Sequence, residues 1–355
     1  WDTFVSVEGA IGSAFNDLLY GTVGANVLRG GDGRDRLLGM SGDDALYGGA
    51  GNDMTHEDDA FFYSQAESVQ RVYGLFGSFG DDFLEGGAGA DYLHGGDGVD
   101  TASYRTSRSG VAVDLGAATA AFGDAEGLLE IDVGGVPTLE RVEDRLWDIE
   151  NLDGSAFTDK LIGDSGDNRL AGLQGDDLLN GGAGADTLDG GSGFDTVTYV
   201  DSVAGVTIDL ENQAANTGGD AQANGATQET LVGIERIVGS EQADTLKGDA
   251  IGNALEGDDG DDVLQGRDGD DVLDGGDGAD LMYGDDGDDV LISGAGIDLM
   301  DGGAGERDVV YLSDYGARAY LKLHGAATQT ATDQAAAHFV YDAANPTIAL
   351  VSVRK

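Results

Sequence analysis

Glycine recurs every nine residues through more than half of this chain, and that period limits the fold more than any other feature. Between 257 and 292 the units read GDDGDDVLQ, GRDGDDVLD, GGDGADLMY and GDDGDDVLI, each following G-[GDR]-[DA]-G-x-D-x-[LM]-x. In the same phase, units start at Gly239, Gly248, Ser293 and Gly302. The last, GGAGERDVV, carries Asp308 one place late, as at the end of an array. Further blocks start units at Gly12, Gly21, Gly30, Gly39 and Gly48, at Gly77, Gly86 and Gly95, and at Gly154, Gly163, Gly172, Gly181 and Gly190. About twenty units result, too many for coincidence.

A helix cannot use this pattern. The period matches neither helical repeat, and each Gly in a helix interior costs about 1 kcal/mol. The first six residues of a unit instead form a Gly-rich turn that tolerates positive φ. The last three, x-U-x with U usually Leu, form a short strand whose middle side chain points to one face. Two units complete one turn of a flattened right-handed coil. That arrangement points Leu37 and Leu46, Leu170 and Leu179, or Leu264 and Leu273 inward from opposite sheets. The expected fold class is all-β: parallel β-roll (right-handed β-helix) solenoid blocks of nonapeptide repeats, separated by non-repeat β capping segments.

The same coil stacks the sixth-position residues: Asp17, Asn26, Asp35, Asp44, Asp53, Asp82, Asp91, Asp100, Asp159, Asn168, Asp177, Asp186, Asp195, Asp244, Asn253, Asp262, Asp271, Asp280, Asp289 and Asp298. Carboxylates about 5 Å apart repel by roughly 3 kcal/mol at an effective dielectric near 20. The whole chain has 68 Asp and Glu against 18 Lys and Arg, a net charge of -50. Left bare, such a coil drives itself apart; a solvated, disordered polyanion is the lesser reading of the metal-free chain, and a chain whose charge bound cations neutralise is the alternative. A hard dication between turns reverses the sign. Ca²⁺ accepts six to eight oxygens in flexible geometry, with turn carbonyls completing the set, whereas Mg²⁺ wants a tighter octahedron. No EF-hand loop is present. Two readings of these side chains stand, calcium ligands or turn caps alone, and the charge load favours the first. Asp259, Asp261, Asp268 and Asp270 are surplus to the pattern and serve either to enrich calcium locally or to keep the chain soluble.

The acidity argues against nucleic acid and against direct contact with an anionic bilayer. With no Cys, the chain has neither disulfides nor a thiolate zinc site. No apolar run approaches the roughly 18 residues that span a membrane, so no transmembrane segment is expected. The opening WDTFVSVEGA lacks a signal peptide's basic and apolar regions as well as an initiator Met, which is expected of a piece or processed portion of something longer.

The nonapeptides, GGDGRDRLL at 30–38, GGAGADYLH at 86–94, GGAGADTLD at 181–189 and GGDGADLMY at 275–283, resemble those of RTX (repeats-in-toxin) hemolysin-type calcium-binding proteins. The lead-ins VEGAIGSAFND, IENLDGSAFTD and IERIVGSEQAD look like the segments that open RTX blocks; DTASY and DTVTY look like block exits. The resemblance implies that sixth-position residues two units apart share a calcium ion, as in Asp17–Asp35, Asp35–Asp53, Asp82–Asp100, Asp159–Asp177, Asp177–Asp195, Asp262–Asp280 and Asp271–Asp289. Sites at Asn26, Asn168 and Asn253 would be weaker, since an amide brings no charge. About a dozen ions would roughly halve the net charge. Also implied are type I secretion from a Gram-negative bacterium, unfolded, and folding outside the cell in extracellular calcium.

The expected organisation is RTX block 1 with its lead-in at 1–55, an insertion or cap at 56–76, block 2 at 77–105, a spacer or cap at 106–148, block 3 at 149–199, a second spacer or cap at 200–233, block 4 at 234–310, and a C-terminal cap with a candidate secretion signal at 311–355. The first spacer is expected to hold a strand at Val111–Leu115, a helical turn around LERVEDRLWDIE and a core Trp147; the second, a strand at Val206–Leu210. The insertion carries the aromatic cluster Phe61, Phe62, Tyr63 and Tyr73. ARAYLKLHG, HFVYD and IALVSV in the tail read as strand-forming.

No catalytic constellation is found. H-E-x-x-H and G-x-S-x-G are absent, the four His residues are scattered, and the repeat accounts for the paired carboxylates. The chain is expected to be no enzyme. Two roles fit: a structural or adhesive component of a cell surface, surface layer or biofilm matrix, or the calcium-dependent secretion and stability module of a larger exoenzyme or pore-forming toxin. The first implies self-association or a cell-surface polysaccharide or lipopolysaccharide partner, besides calcium.

Overall fold

The computed structural model describes residues 7–51, 53, 74–116, 121–122, 129–133, 136–140, 143–212, 214–217, 227–305, 307–312 and 349–352. Every regular element among them is a strand, and the sheets are mainly parallel, as a β-roll requires. The chain divides into two compact units, Trp1–Asp195 and Thr196–Lys355.

In the first unit one wholly parallel sheet runs in the order Gly9–Ile11, Val27–Asp32, Ala45–Ala50, Phe83–Ala88, Thr101–Ser103, Asn151–Asp153, Arg169–Gln174 and Thr187–Ser192. The opposite sheet takes the alternate repeats, beginning Leu18–Tyr20, Arg36–Leu38, Gly74–Phe79 and Tyr92–Asp97. Because the chain alternates sheets, each apolar middle residue falls in register with its equivalent one turn on. Leu28, Leu46, Leu84, Ala102, Leu152, Leu170 and Leu188 form one buried column; Leu37, Leu75, Leu93 and Leu146 form part of the other. Each buried leucine contributes roughly 1.5–3 kcal/mol. Without these columns the short strands could not persist.

The first spacer is built into the second sheet. Glu143–Trp147 lies parallel to Tyr92–Asp97, Ala121–Phe122 is antiparallel to it, and Ala112–Asp114 pairs with Lys160–Ile162 of the next block. Two expectations fail here. The segment around LERVEDRLWDIE holds no helical turn among its described residues; it contributes to strands Val136–Glu140 and Glu143–Trp147. Trp147 is not in the core: Arg145, Leu146 and Trp147 pair with Tyr92, Leu93 and His94, so Leu146 takes the inward place and Trp147 turns out, 43% exposed. The two-residue period of a strand decides both.

The second unit repeats the plan. Thr245–Lys247, Val263–Asp268, Leu281–Asp286 and Leu299–Asp301 stack in one sheet; Thr196–Thr198, Arg236–Val238, Ala254–Glu256, Val272–Asp274, Val290–Ile292 and Val309–Leu312 stack in the other. Its spacer forms an antiparallel meander, Val206–Asp209, Ala214–Thr217 and Thr227–Val232, beside Thr245–Lys247. Ala349–Ser352 adds an antiparallel strand to Val309–Leu312. The aromatic cluster Phe61, Phe62, Tyr63 and Tyr73, like ARAYLKLHG and HFVYD, lies outside the described residues.

Candidate metal centre

A sixth-position residue stands immediately before each short strand, where turn becomes sheet. Its backbone N–H donates to a side-chain oxygen of the equivalent residue one turn on, which locks the carboxylates into ladders. In the first unit the steps are Asp17 to Asp35 (2.8 Å), Asp35 to Asp53 (2.6 Å), Asp53 to Asp91 (2.8 Å) and Asp91 to Asp144 (2.9 Å). Along the other edge they run from Asn26 to Asp44 (2.7 Å), Asp44 to Asp82 (2.7 Å), Asp82 to Asp100 (2.8 Å) and Asp100 to Glu150 (2.8 Å). Asp159, Asp177 and Asp195 continue the pattern, as do Asn168 and Asp186. In the second unit Asp244, Asp262, Asp280 and Asp298 form one ladder; Asn253, Asp271, Asp289 and Asp308 form the other. Every sixth-position residue singled out by the period therefore lies in a ladder.

Three members escape the period. Asp144 and Glu150 join partners 53 and 50 residues earlier, and Asp308 one 19 residues earlier. A signal for the first two does exist: EDRLW and IENLD keep the D-x-U-x or E-x-U-x tail of a unit without its glycine turn. The surplus fifth-position acids also have a place. Asp261 and Asp270 accept the Ala279 and Asp288 N–H groups, each at 2.9 Å, in a more exposed outer row.

The second carboxylate oxygen is the chemically open one. At Asp35, Asp44, Asp53, Asp82, Asp100, Asp177, Asp262, Asp271, Asp280 and Asp289, Oδ2 is buried and has no hydrogen-bond partner among the described residues. It overhangs the first glycine of its own unit. A Cβ at Gly30 would lie 2.1 Å from Asp35 Oδ2 and 2.6 Å from the Gly48 carbonyl oxygen; at Gly257 the distances are 2.2 Å to Asp262 Oδ2 and 2.6 Å to the Gly275 carbonyl oxygen. Glycine here keeps open a cradle walled by a carboxylate and a carbonyl of the next turn. Burial pushes the carboxyls up, to about 7 at Asp53, Asp82, Asp177, Asp262 and Asp271 and to about 6 at Asp100, Asp280 and Asp289. Neighbouring carboxylates add to that shift, while the ladder N–H opposes it.

Such sites offer only oxygen, from carboxylates and carbonyls, the donor set of a hard cation. Among the described residues no three acidic or imidazole side chains converge as a metal-binding group. Backbone carbonyls and water are the oxygens left to complete a coordination shell. A model of the RTX calcium-binding nonapeptide repeat matches residues 10–34, 20–54, 75–102, 162–197, 256–291 and 283–306. No curated protein matches the chain significantly. The matched stretches hold most of the glycine cradles and ladder aspartates just described, though not Asp144, Glu150, Asp159, Asp244, Asn253 or Asp308, and the chain carries RTX calcium-binding nonapeptide repeats in several copies along its length.

Proposed function

We propose that this chain is a secreted, calcium-folded β-roll that acts as a structural or adhesive component outside the cell. The observation that carries the calcium part is the buried Oδ2 without a donor, repeated above the first glycine of turn after turn. The proposed ligands are Asp35, Asp44, Asp53, Asp82, Asp91, Asp100, Asp177, Asp186, Asp195, Asp262, Asp271, Asp280 and Asp289, with Asp298, Asp144, Glu150 and Asp308 extending the rows. Calcium, when bound, supplies the positive charge that turns stacked carboxylates from mutual repulsion to shared ligation. Binding and folding are then one event, which suits export of an unfolded chain from a calcium-poor cytosol into a calcium-rich exterior.

The structural role is supported by what the ladders absorb. Paired carboxylates that would otherwise read as acid and base are rungs of the coil, so the chain is read as a binding and assembly element and not a catalyst. The test is a calcium titration of the full chain followed by far-ultraviolet circular dichroism and electron microscopy. A β signal that rises cooperatively with calcium and collapses in EGTA is expected, with ordered assemblies at saturating calcium. A β signal indifferent to EGTA would overturn the calcium reading. Dispersed single molecules at saturating calcium would overturn the assembly role and favour a stability module of a larger exoprotein.

A further inference from the structure

Two kinds of turn hide under the one nonapeptide pattern. From the third unit of each lead-in block onward, and throughout 77–103, the second residue of the unit lies at positive φ. Gly31, Gly182 and Gly276 do so, and so do Met40, Ser78, Leu173, Asp258, Arg267 and Asp285, at φ between 69° and 90°. Side chains resist that region, so its use at non-glycine residues marks a turn geometry that the coil imposes. None of the second residues of the opening units, Ser13, Thr22, Ser155, Asp164, Ser240 and Asp249, lies there.

The difference decides where one N–H points. In regular turns it leaves the unit's own sixth-position carboxylate alone: the Met40 N–H donates to the Gly77 carbonyl and the Gly276 N–H to Asp274 Oδ1. In opening turns it points in. The Ser13 N–H donates to Asp17 Oδ2 at 2.5 Å, Ser155 to Asp159 Oδ2 at 2.5 Å, and Ser240 to Asp244 Oδ2 at 2.6 Å. The serine hydroxyls add a second bond, 2.9 Å to Asp17 Oδ2, 2.8 Å to Asp159 Oδ1 and 2.9 Å to Asp244 Oδ1. In the next unit of each block the Asn side-chain oxygen is taken likewise, from Thr22 to Asn26 (2.6 Å), Asp164 to Asn168 (2.8 Å) and Asp249 to Asn253 (2.7 Å). The oxygen that stands open in a regular turn is closed here by the protein's own backbone. Around the Asn253 turn, moreover, the Gly248 carbonyl accepts from the Arg267 guanidinium (2.6 Å), which also holds Asp209 at 2.7 and 3.0 Å. A side-chain cation already sits there.

Resting on the calcium reading above, we propose that ions seat only where the second-position peptide is turned away. The opening pairs Asp17 and Asn26, Asp159 and Asn168, and Asp244 and Asn253 are then self-closed turns that hold no calcium. Each array begins on a metal-free template, and cation binding starts at its third unit. The stretch at 77–103 has no such opening because it continues the preceding coil: Gly74–Phe79 pairs in register with Arg36–Leu38, and Asp82 accepts from Asp44. An Asn at the second unit is thus no weakened ligand; a carboxylate there would only add charge to a turn already closed.

The full chain crystallised in calcium tests this by anomalous scattering. Peaks are expected beside Asp35, Asp177 and Asp262, with none in the cradles between Gly12 and Asp17, Gly154 and Asp159, or Gly239 and Asp244. Calcium in those three cradles would overturn the inference alone; absence of calcium everywhere would instead overturn the proposed function. In solution, Asn253→Asp restores the missing carboxylate at a residue whose Nδ2 has no partner among the described residues. Native mass spectrometry of the folded variant should give the parent's ion count. One additional ion would overturn the proposal.

Discussion

A methyl group at Gly172 would stand 2.1 Å from Asp177 Oδ2 and 2.7 Å from the Gly190 carbonyl oxygen. Gly172 has no left-handed backbone to strain, so Gly172→Ala would act by filling the cradle and little else. We expect the calcium midpoint of folding to rise tenfold or more, on the order of 1.4 kcal/mol, and native mass spectrometry to show at least one ion fewer. Gly24→Ala is the control, since a Cβ there meets nothing within 4 Å; an equal effect from it would refute the cradle argument. At this scale the sequence was readable where complete units follow one another, because a spacing of 18 residues places each carboxylate one turn from its equivalent; at Asp44–Asp82 and Asp53–Asp91 the same step takes 38 residues. It was faint at Asp144 and Glu150, which keep only the tail of a unit and whose partners lie 53 and 50 residues away, and at Asp308 it was displaced by one place, its partner 19 residues away. It was silent, too, on Ser155 and Ser240: a serine beside glycine shows nothing of which way its peptide faces.

Among elements, adjacent side chains of one strand carry opposite weight. Leu146 occupies the inward column beside Leu93, while Trp147 lies beside outward His94. Leu146→Ala should cost about 2–5 kcal/mol, the range for a buried leucine, whereas Trp147→Ala should stay within about 0.5 kcal/mol. Chemical unfolding of the calcium-saturated protein measures both, and a larger loss from the tryptophan would refute the register. The x-U-x strands were legible because each carries its own core residue between glycine turns. The segment around 139–150 was not, since its charged residues suit a helix by local preference. Pairing to Tyr92–Asp97 overrides that preference, as tertiary contacts commonly do.

Across the whole molecule, the ladders couple folding to protons as well as to calcium. Burial holds Asp53, Asp82, Asp177, Asp262 and Asp271 near about 7, far above the ordinary carboxylate value of 3.8. A raised folded-state value means that the metal-free coil binds these protons more tightly than the unfolded chain does. Its stabilisation is therefore complete below about pH 4 and is lost as pH rises toward about 7. In EGTA the β signal should fall across that window, and calcium affinity should rise across it as ions displace protons. Metal-free β content that increased with pH would contradict the assignment. The covalent path matters less to this coil than its stacking does. The Asp53 N–H donates to Asp91, Asp53 accepts from Asp35, and Gly74–Phe79 pairs with Arg36–Leu38, so ladder and sheet both continue from residues before 54 to residues after 73. The roll is thus spliced at that seam: sequence of any length could be carried between ligand and strand, or the chain cut there and its two fragments reassembled on shared calcium.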